Sequence, residues 1–201
     1  MTSTHPTDRP QVSLVIPIRN EAGNIGRLLN EIRASFDETG FSWEVLVIND
    51  GSTDESVGEV ESACDDTNKV NLIHLTDGHG KSAALSRGFA CARGESVVML
   101  DGDGQDDPAE IPKMLTRLGV VPDGQPALTA EAELVNGWKT PRLDPWHKTL
   151  PSRVFNLLVS WLTNVRLHDH NCGLKAMRRE VAQRLPLATG MHRFITVLAA
   201  A

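Results

Sequence analysis

"VSLVIPI", residues 12–18, is a continuous apolar run rich in β-branched side chains, without the polar alternation of a strand that keeps one face in water. It reads as a parallel strand buried on both faces. Downstream, Ile25, Leu28, Leu29, Ile32 and Phe36 recur at three- and four-residue steps, which predicts an amphipathic helix with Asn20 as its cap. "WEVLVI" (43–48) is a second strand, and "NDGSTDES" (49–56) turns it into a helix carrying Val57, Val60 and Cys64, with Ser52 or Thr53 able to cap it. "VNLIHL" (70–75) leads through "TDGHGKS" (76–82) into a helix with Ala84, Leu85, Gly88 and Phe89 on one face, and "SVVML" (96–100) is a fourth strand. Asp107 followed by Pro108 is a cap and first-turn signature for a helix through Ile111, Met114, Leu115 and Leu118. Residues 119–131 read as a loop, "AELVNGW" (132–138) as a further strand, and "LPSRVFNLLVSWLT" (150–163) as an amphipathic helix.

Strands alternating with helices at this spacing imply an α/β fold. Right-handed crossovers would give a mostly parallel sheet with helices on both faces. Ligands of such sheets bind beyond the carboxyl ends of the strands, where Pro17 to Glu21, Asn49 to Asp54 and Asp101 to Asp107 fall. The 201 residues, 40% hydrophobic and 23% charged, suit one globular domain over 12–201 after a disordered lead-in over 1–11. A net charge of −6 argues against a nucleic-acid surface, although basic residues gather between Lys139 and Arg193 in a patch suited to an anionic ligand. The three cysteines lack metal spacing and make a poor disulfide framework, so a reducing cytoplasm is expected. "VFNLLVSWLTNV" is too short to span a bilayer.

"MLDGDGQDDPAEIP" (99–112) places five acidic side chains in one loop. If the chain stays extended, Asp101 and Asp103 point the same way. Their repulsion at about 4 Å and an effective dielectric of about 20 is about 4 kcal/mol, which calls for a cation, a proton or a basic side chain. With Gln105 as a third oxygen ligand the set suits Mg2+ or Mn2+; the alternative is a solvated acidic turn with splayed carboxylates. A different function is open at "GHGKSA", where Gly78, Gly80 and Ala83 fit the G-x-G-x-x-A of a dinucleotide-binding turn with Asp101 a little over twenty residues on. Against it, two residues separate the end of the strand from the first glycine, and the turn is the third in the chain. Lys81 is usable as a phosphate contact in either case. His168, His170 and Cys172 in "HDHNCG" suggest zinc but lack an evident fourth ligand; Asp169 beside them is a possible orienting group or base.

Taken together, "VSLVIPIRNE", "EVLVINDGSTDES", "GHGKSAALSRGFACARGE", "VVMLDGDGQDDPAEIP" and "LHDHNCGLKAMRRE" resemble the family-two glycosyltransferases of GT-A fold. "GMHRFI" (190–195) resembles the branch of dolichol-phosphate mannosyltransferase and bacterial polyprenyl-phosphate sugar transferases. The resemblance implies an inverting hexosyltransferase that moves a sugar from a GDP- or UDP-linked donor to a polyprenyl (dolichyl-type) phosphate. Such an enzyme works in the cytoplasm, peripherally at the inner face of the membrane. It implies that Pro17, Arg19, Glu21, Ile48 and Asp50 hold the base and ribose, and that Asp101, Asp103 and Gln105 hold a divalent cation on the diphosphate, with Gly102 and Lys81 beside them. Arg19 stands where the family often has an aromatic or asparagine. Lys139 is implied to face the donor phosphates, and Lys148, Ser152 and Asn156, which recur every four residues and so share a helix face, the acceptor phosphate. His192 and Arg193 belong to the same neighbourhood. A lipid monophosphate, largely ionised at neutral pH, attacks the sugar without a protein base; a hydroxyl acceptor would make Asp169 the base. The resembling enzymes usually continue past "HRFI" with a strand and a basic segment, so the domain is expected to be shortened at its C-terminus. A nucleotide-sugar-binding module with little turnover is then a further alternative.

Overall fold

The structure, a computed structural model, describes residues 9–64, 69–76, 78–126, 128–138 and 172–200. Residues 1–8 of the lead-in expected over 1–11, and the helix expected over 150–163, lie outside them. Strands β1 (Val12–Ile18), β2 (Trp43–Asn49), β3 (Val70–His74), β4 (Ser96–Met99), β5 (Leu134–Asn136) and β6 (Lys175–Arg178) form one sheet in the order β3-β2-β1-β4-β6-β5. The first four are parallel; β6 runs antiparallel to both β4 and β5.

Every residue of β1 except Pro17, and all of β2, is buried, as a continuous apolar run requires. The two faces separate by parity. Leu14, Ile16 and Ile18, with Val45, Val47, Val98 and Leu100, pack against helices α1 (Ile25–Phe36) and α4 (Ile111–Arg117) and Val60 of α2 (Ser56–Ala63). Val15, Leu46, Ile48, Val97 and Met99 pack against α3 (Lys81–Cys91), α5 (Arg179–Arg184) and α6 (Ile195–Leu198). Helix α3 lies close on the sheet at Gly88, where a Cβ would stand 3.2 Å from Ile48 Cγ1 and closer still to Val15.

Three local expectations change. Asn20 does not cap α1: it sits at φ +58°, and its Oδ1 accepts the Thr53 N–H at 2.8 Å while Ser52 Oγ accepts the Asn20 N–H at 3.1 Å. Ser52 and Thr53 therefore tie the β2 loop to the β1 loop and do not cap α2. On α2 only Ser56 and Val60 are buried, and Cys64 follows the helix exposed. Strand β6 has no separate signal in the sequence, because it begins at Lys175 and ends at Arg178, yet Lys175 is only 2% exposed. The three cysteines are free thiols, as expected.

The strand order also bears on the dinucleotide alternative. The crevice where the order reverses lies between β1 and β4, whereas the G-x-G-x-x-A turn follows β3, the edge strand. The motif therefore follows the wrong strand for a dinucleotide fingerprint, which sits directly after the strand at the reversal.

Candidate functional site

Four parallel strands deliver their following loops to one edge of the sheet. The β1–β2 ladder continues past the strands, with Asp50 N–H donating to Ile18 O at 2.9 Å. Asp50 is buried, and its carboxylate accepts the His79 N–H at 2.7 Å and the Gly80 N–H at 2.9 Å. This clamp folds the β3 loop over the end of β2, where a Cβ on Gly78 would stand 3.1 Å from Arg19 Nη1. The β1 loop is fixed from the other side: Ser56 Oγ accepts the Glu21 N–H at 2.7 Å, and Asp54 Oδ2 accepts the Ala22 N–H at 3.1 Å. The Ser56 hydroxyl in turn bonds Asp54 and, with backbone N–H groups, holds its carboxyl below the ordinary value. Pro17 and Glu21 are half-buried at the loop, and Gly102 is buried against Ile18 and Glu21. Ile48 is wholly in the core against α3, so its side chain is removed from the site.

Gly80, at φ +86°, starts α3 and places Lys81 at its first position. Lys81 Nζ lies 2.5 Å from Asp101 Oδ1. The acidic loop is thus met by a basic side chain. Nor does the chain stay extended through it: a turn runs over 102–103, and Gly104 follows at φ +68°. Asp103 accepts the Gln105 N–H at 3.0 Å within its own loop. The acid that approaches Asp101 is Asp106, buried, with a carboxylate oxygen 3.4 Å from the Asp101 N–H nitrogen. Gly173 is wedged against both, since a Cβ there would stand 2.5 Å from Asp106 Oδ2 and 2.9 Å from Asp101 Oδ2. Only glycine fits that approach, which explains the residue type in "NCGLK". Gln105 is exposed at the loop surface.

From the far end of the chain, the 3-10 turn Met191–Phe194 brings His192 to the start of α3, where Nδ1 lies 3.1 Å from Ser82 Oγ and the His192 N–H donates to the same oxygen at 3.2 Å. Burial lowers the affinity of His192 for a proton, and the charges of Lys81 and Arg193 lower it further, with Asp101 opposing. Arg193 is exposed.

Of the residues the sequence singles out, the described structure therefore gathers Arg19, Asp50, Lys81 and Asp101 in one network of loops, with His192 joined to it through Ser82. Lys139, Lys148, Ser152, Asn156 and Asp169 lie outside the described residues, as do His168 and His170. Three further residues belong to the site without having been singled out. Ser82 adjoins Lys81, Asp106 adjoins Gln105, and buried Lys175 donates through Nζ to the Cys172 carbonyl that precedes Gly173. Each lies inside a recognisable motif, but which neighbour it touches is set by a segment distant in sequence. Among the described residues, no group of three or more His, Cys, Asp or Glu is arranged to hold a metal. An ion at this loop would draw on the mixed set of Asp101, Asp103 and Gln105. Those oxygen donors suit a hard cation. No helix among the described residues is long and apolar enough to cross a membrane.

Residues 13–185 match the family model described as Glycosyl transferase family 2. The chain is similar to a dodecaprenyl-phosphate galacturonate synthase of Rhizobium johnstonii, 32% identical over 192 residues covering 94% of this chain and 54% of the relative. It is also similar to an undecaprenyl-phosphate 4-deoxy-4-formamido-L-arabinose transferase of Pseudomonas aeruginosa, 33% identical over 189 residues covering 94% of this chain and 53% of the relative. The chain thus spans about half the length of the curated relatives it matches. Its fold is that of glucosyl-3-phosphoglycerate synthase from Mycobacterium tuberculosis, solved with Mn2+, uridine diphosphate and phosphoglyceric acid. That match has TM-score 0.70 at 21% identity and covers 93% of this chain and 63% of that one.

Proposed function

Because the chain belongs to glycosyl transferase family 2, we propose that it transfers a sugar, with inversion, from a GDP- or UDP-linked donor to a polyprenyl monophosphate at the membrane surface. The observation that carries this reading is the meeting of Lys81, Asp101 and His192 around the end of β4 and the start of α3, in a chain whose curated relatives are named for polyprenyl-phosphate acceptors over 94% of its length.

In this reading Arg19 and the Asp50-clamped loop border the nucleoside, while Asp101, Asp103 and Gln105 are the residues that would hold a divalent cation. The cation, when bound, supplies positive charge to the departing diphosphate. Lys81, paired with Asp101, adds a positive charge beside the donor phosphates. On the acceptor side His192 and Arg193 contact the lipid phosphate, with Lys148, Ser152 and Asn156 contributing from outside the described residues. A phosphate oxygen forms the new bond to the anomeric carbon as the bond from that carbon to the nucleoside diphosphate breaks. With a second phosphate pKa of about 6, the nucleophile is already ionised and Asp169 is not needed as a base.

The test is a transfer assay with GDP- and UDP-linked sugars, uronic acid, formamido-pentose and mannose among them, against undecaprenyl phosphate, dolichyl phosphate and a plain sugar hydroxyl. Transfer to the phosphates alone is expected, and Lys148→Ala is expected to weaken acceptor use while sparing donor binding. Equal transfer to the hydroxyl overturns the acceptor assignment. Donor binding without turnover favours a binding module.

A further inference from the structure

We propose that Ser82 is a positioning residue that fixes the neutral Nε2–H tautomer of His192, so that the ring presents an N–H donor to the acceptor phosphate. The inference rests on the transfer function proposed above and adds a residue to it. Two segments 110 residues apart meet here through a single oxygen. Ser82 is buried, 3% exposed, on the face of α3 turned to the protein. Its hydroxyl oxygen accepts the backbone N–H of His192 at 3.2 Å and lies 3.1 Å from His192 Nδ1.

Hydrogen-bond accounting then decides the tautomer. A backbone N–H can only donate, so one lone pair of Oγ is used. The hydroxyl proton needs an acceptor of its own, and the neighbour in reach is Nδ1. If Nδ1 carried the ring proton, Oγ would accept twice and a buried hydroxyl proton would be left unpaired, an arrangement that native interiors avoid. Ser82 therefore donates to a bare Nδ1, and the ring proton of the neutral imidazole sits on Nε2. The surroundings favour the neutral ring, since burial, Lys81 and Arg193 all disfavour its charged form. Nε2 is then the ring nitrogen left for a ligand, on a partly exposed side chain beside the lysine that holds Asp101. A neutral N–H donor orients a phosphate without adding charge to a neighbourhood that Lys81 and Arg193 already supply.

The assignment can be read spectroscopically in the full chain, independently of turnover. Long-range nitrogen–proton correlation of 15N-histidine-labelled protein at neutral pH distinguishes the two tautomers, with the His192 signals identified by their loss in His192→Gln. The expected result is a protonated Nε2 and a bare Nδ1 in the parent and in Ser82→Thr, which keeps the hydroxyl, and a tautomer mixture in Ser82→Ala. In the transfer assay Ser82→Ala is expected to raise KM for undecaprenyl phosphate about tenfold, with kcat and donor binding near the parent values and recovery in Ser82→Thr. A parent ring protonated at Nδ1 overturns the proposal, as does a Ser82→Ala variant whose tautomer and acceptor KM are unchanged. A parent with the expected tautomer that transfers nothing to polyprenyl phosphate refutes the functional reading and the donor role, while the tautomer assignment stands. Normal transfer with the wrong tautomer refutes the Ser82 inference alone.

Discussion

Asp103 and Asp101 part in the turn that Gly104 completes, so substituting one is not equivalent to substituting the other. Asp101 is held by Lys81, whereas Asp103 accepts, among the described residues, the Gln105 N–H of its own loop. Asp103→Asn preserves volume and removes one charged ligand. It is expected to weaken metal-dependent binding of a nucleoside diphosphate by at least about tenfold, measured calorimetrically with Mn2+ and with chelator. Metal-free stability should be unchanged or higher by up to ~1 kcal/mol, because a screened negative charge is lost from an acidic loop. Undiminished Mn2+-dependent affinity would remove Asp103 from the site. His192 gives a pH signature of its own. Its proton affinity is lower in the folded chain than in the unfolded one, where the ordinary value is 6.5, so the unfolded chain binds more protons below that value. Stability is therefore expected to fall as pH drops from 6.5 through the folded value and to level off beneath it, and His192→Gln should flatten that limb of a denaturation series. An unchanged slope would show that His192 titrates as it does in the unfolded chain. Neither effect follows from residue type alone, since the sequence singles out Asp101, Asp103 and His192 without Asp106, Ser82 or Lys175, the residues that surround them in space.

Helix α3 carries two duties on opposite ends of one element: Lys81 and Ser82 at its start serve the site, and Gly88 lets the same helix lie close on β1 and β2. A methyl at Gly88 meets Val15 and Ile48 in a packed core, so Gly88→Ala is expected to cost about 1–3 kcal/mol. That is a fall of several degrees in Tm for a chain of this size. Because the helix has to lift, the Ser82–His192 and Lys81–Asp101 contacts should loosen as well, visible as weaker donor and acceptor binding. An unshifted Tm would mean that the sheet accommodates the methyl. The β1 and β2 loops illustrate the converse, in which an element's end is finished by its neighbour. Glu59 of α2 accepts the Gly23 N–H at 2.6 Å and the Gly26 N–H at 3.1 Å, satisfying donors at the start of α1. The sequence offered Asn20 as the local cap. Local cap chemistry was outcompeted because a carboxylate delivered by tertiary packing reaches two donors at once.

Over the whole molecule, the site edge and the opposite edge are built differently. At the amino ends of the strands, buried Glu44 accepts from Ser13 Oγ at 2.6 Å and from the Arg93 guanidinium at 2.7 Å, a closed network that pins β1, β2 and the α3–β4 turn. At the carboxyl ends the loops hold one another while leaving polar groups for a ligand. A ligand that binds only this folded arrangement raises its apparent stability by mass action, so the matching nucleoside diphosphate with Mn2+ is expected to raise Tm, by about 2.7 kcal/mol of stabilisation at a hundredfold excess over Kd. NAD is expected to leave Tm unmoved, and the reverse pattern would return the edge-strand glycine turn to consideration. The sequence by itself determined the α/β class, the first four strands, the helices that follow them and the strand-end loops in which the candidate site lies. Those depend on period and burial, which local patterns encode: "VSLVIPI" can be dry on both faces only inside a sheet covered by helices. Tertiary structure alone decided the antiparallel β6 between β4 and β5, the pairing of Asp101 with Lys81 and Asp106, and the meeting of Ser82 with His192. These are contacts between segments distant in the chain, and a charged residue such as Lys175 goes into a sheet only because the Cys172 carbonyl and its neighbours are there to receive it.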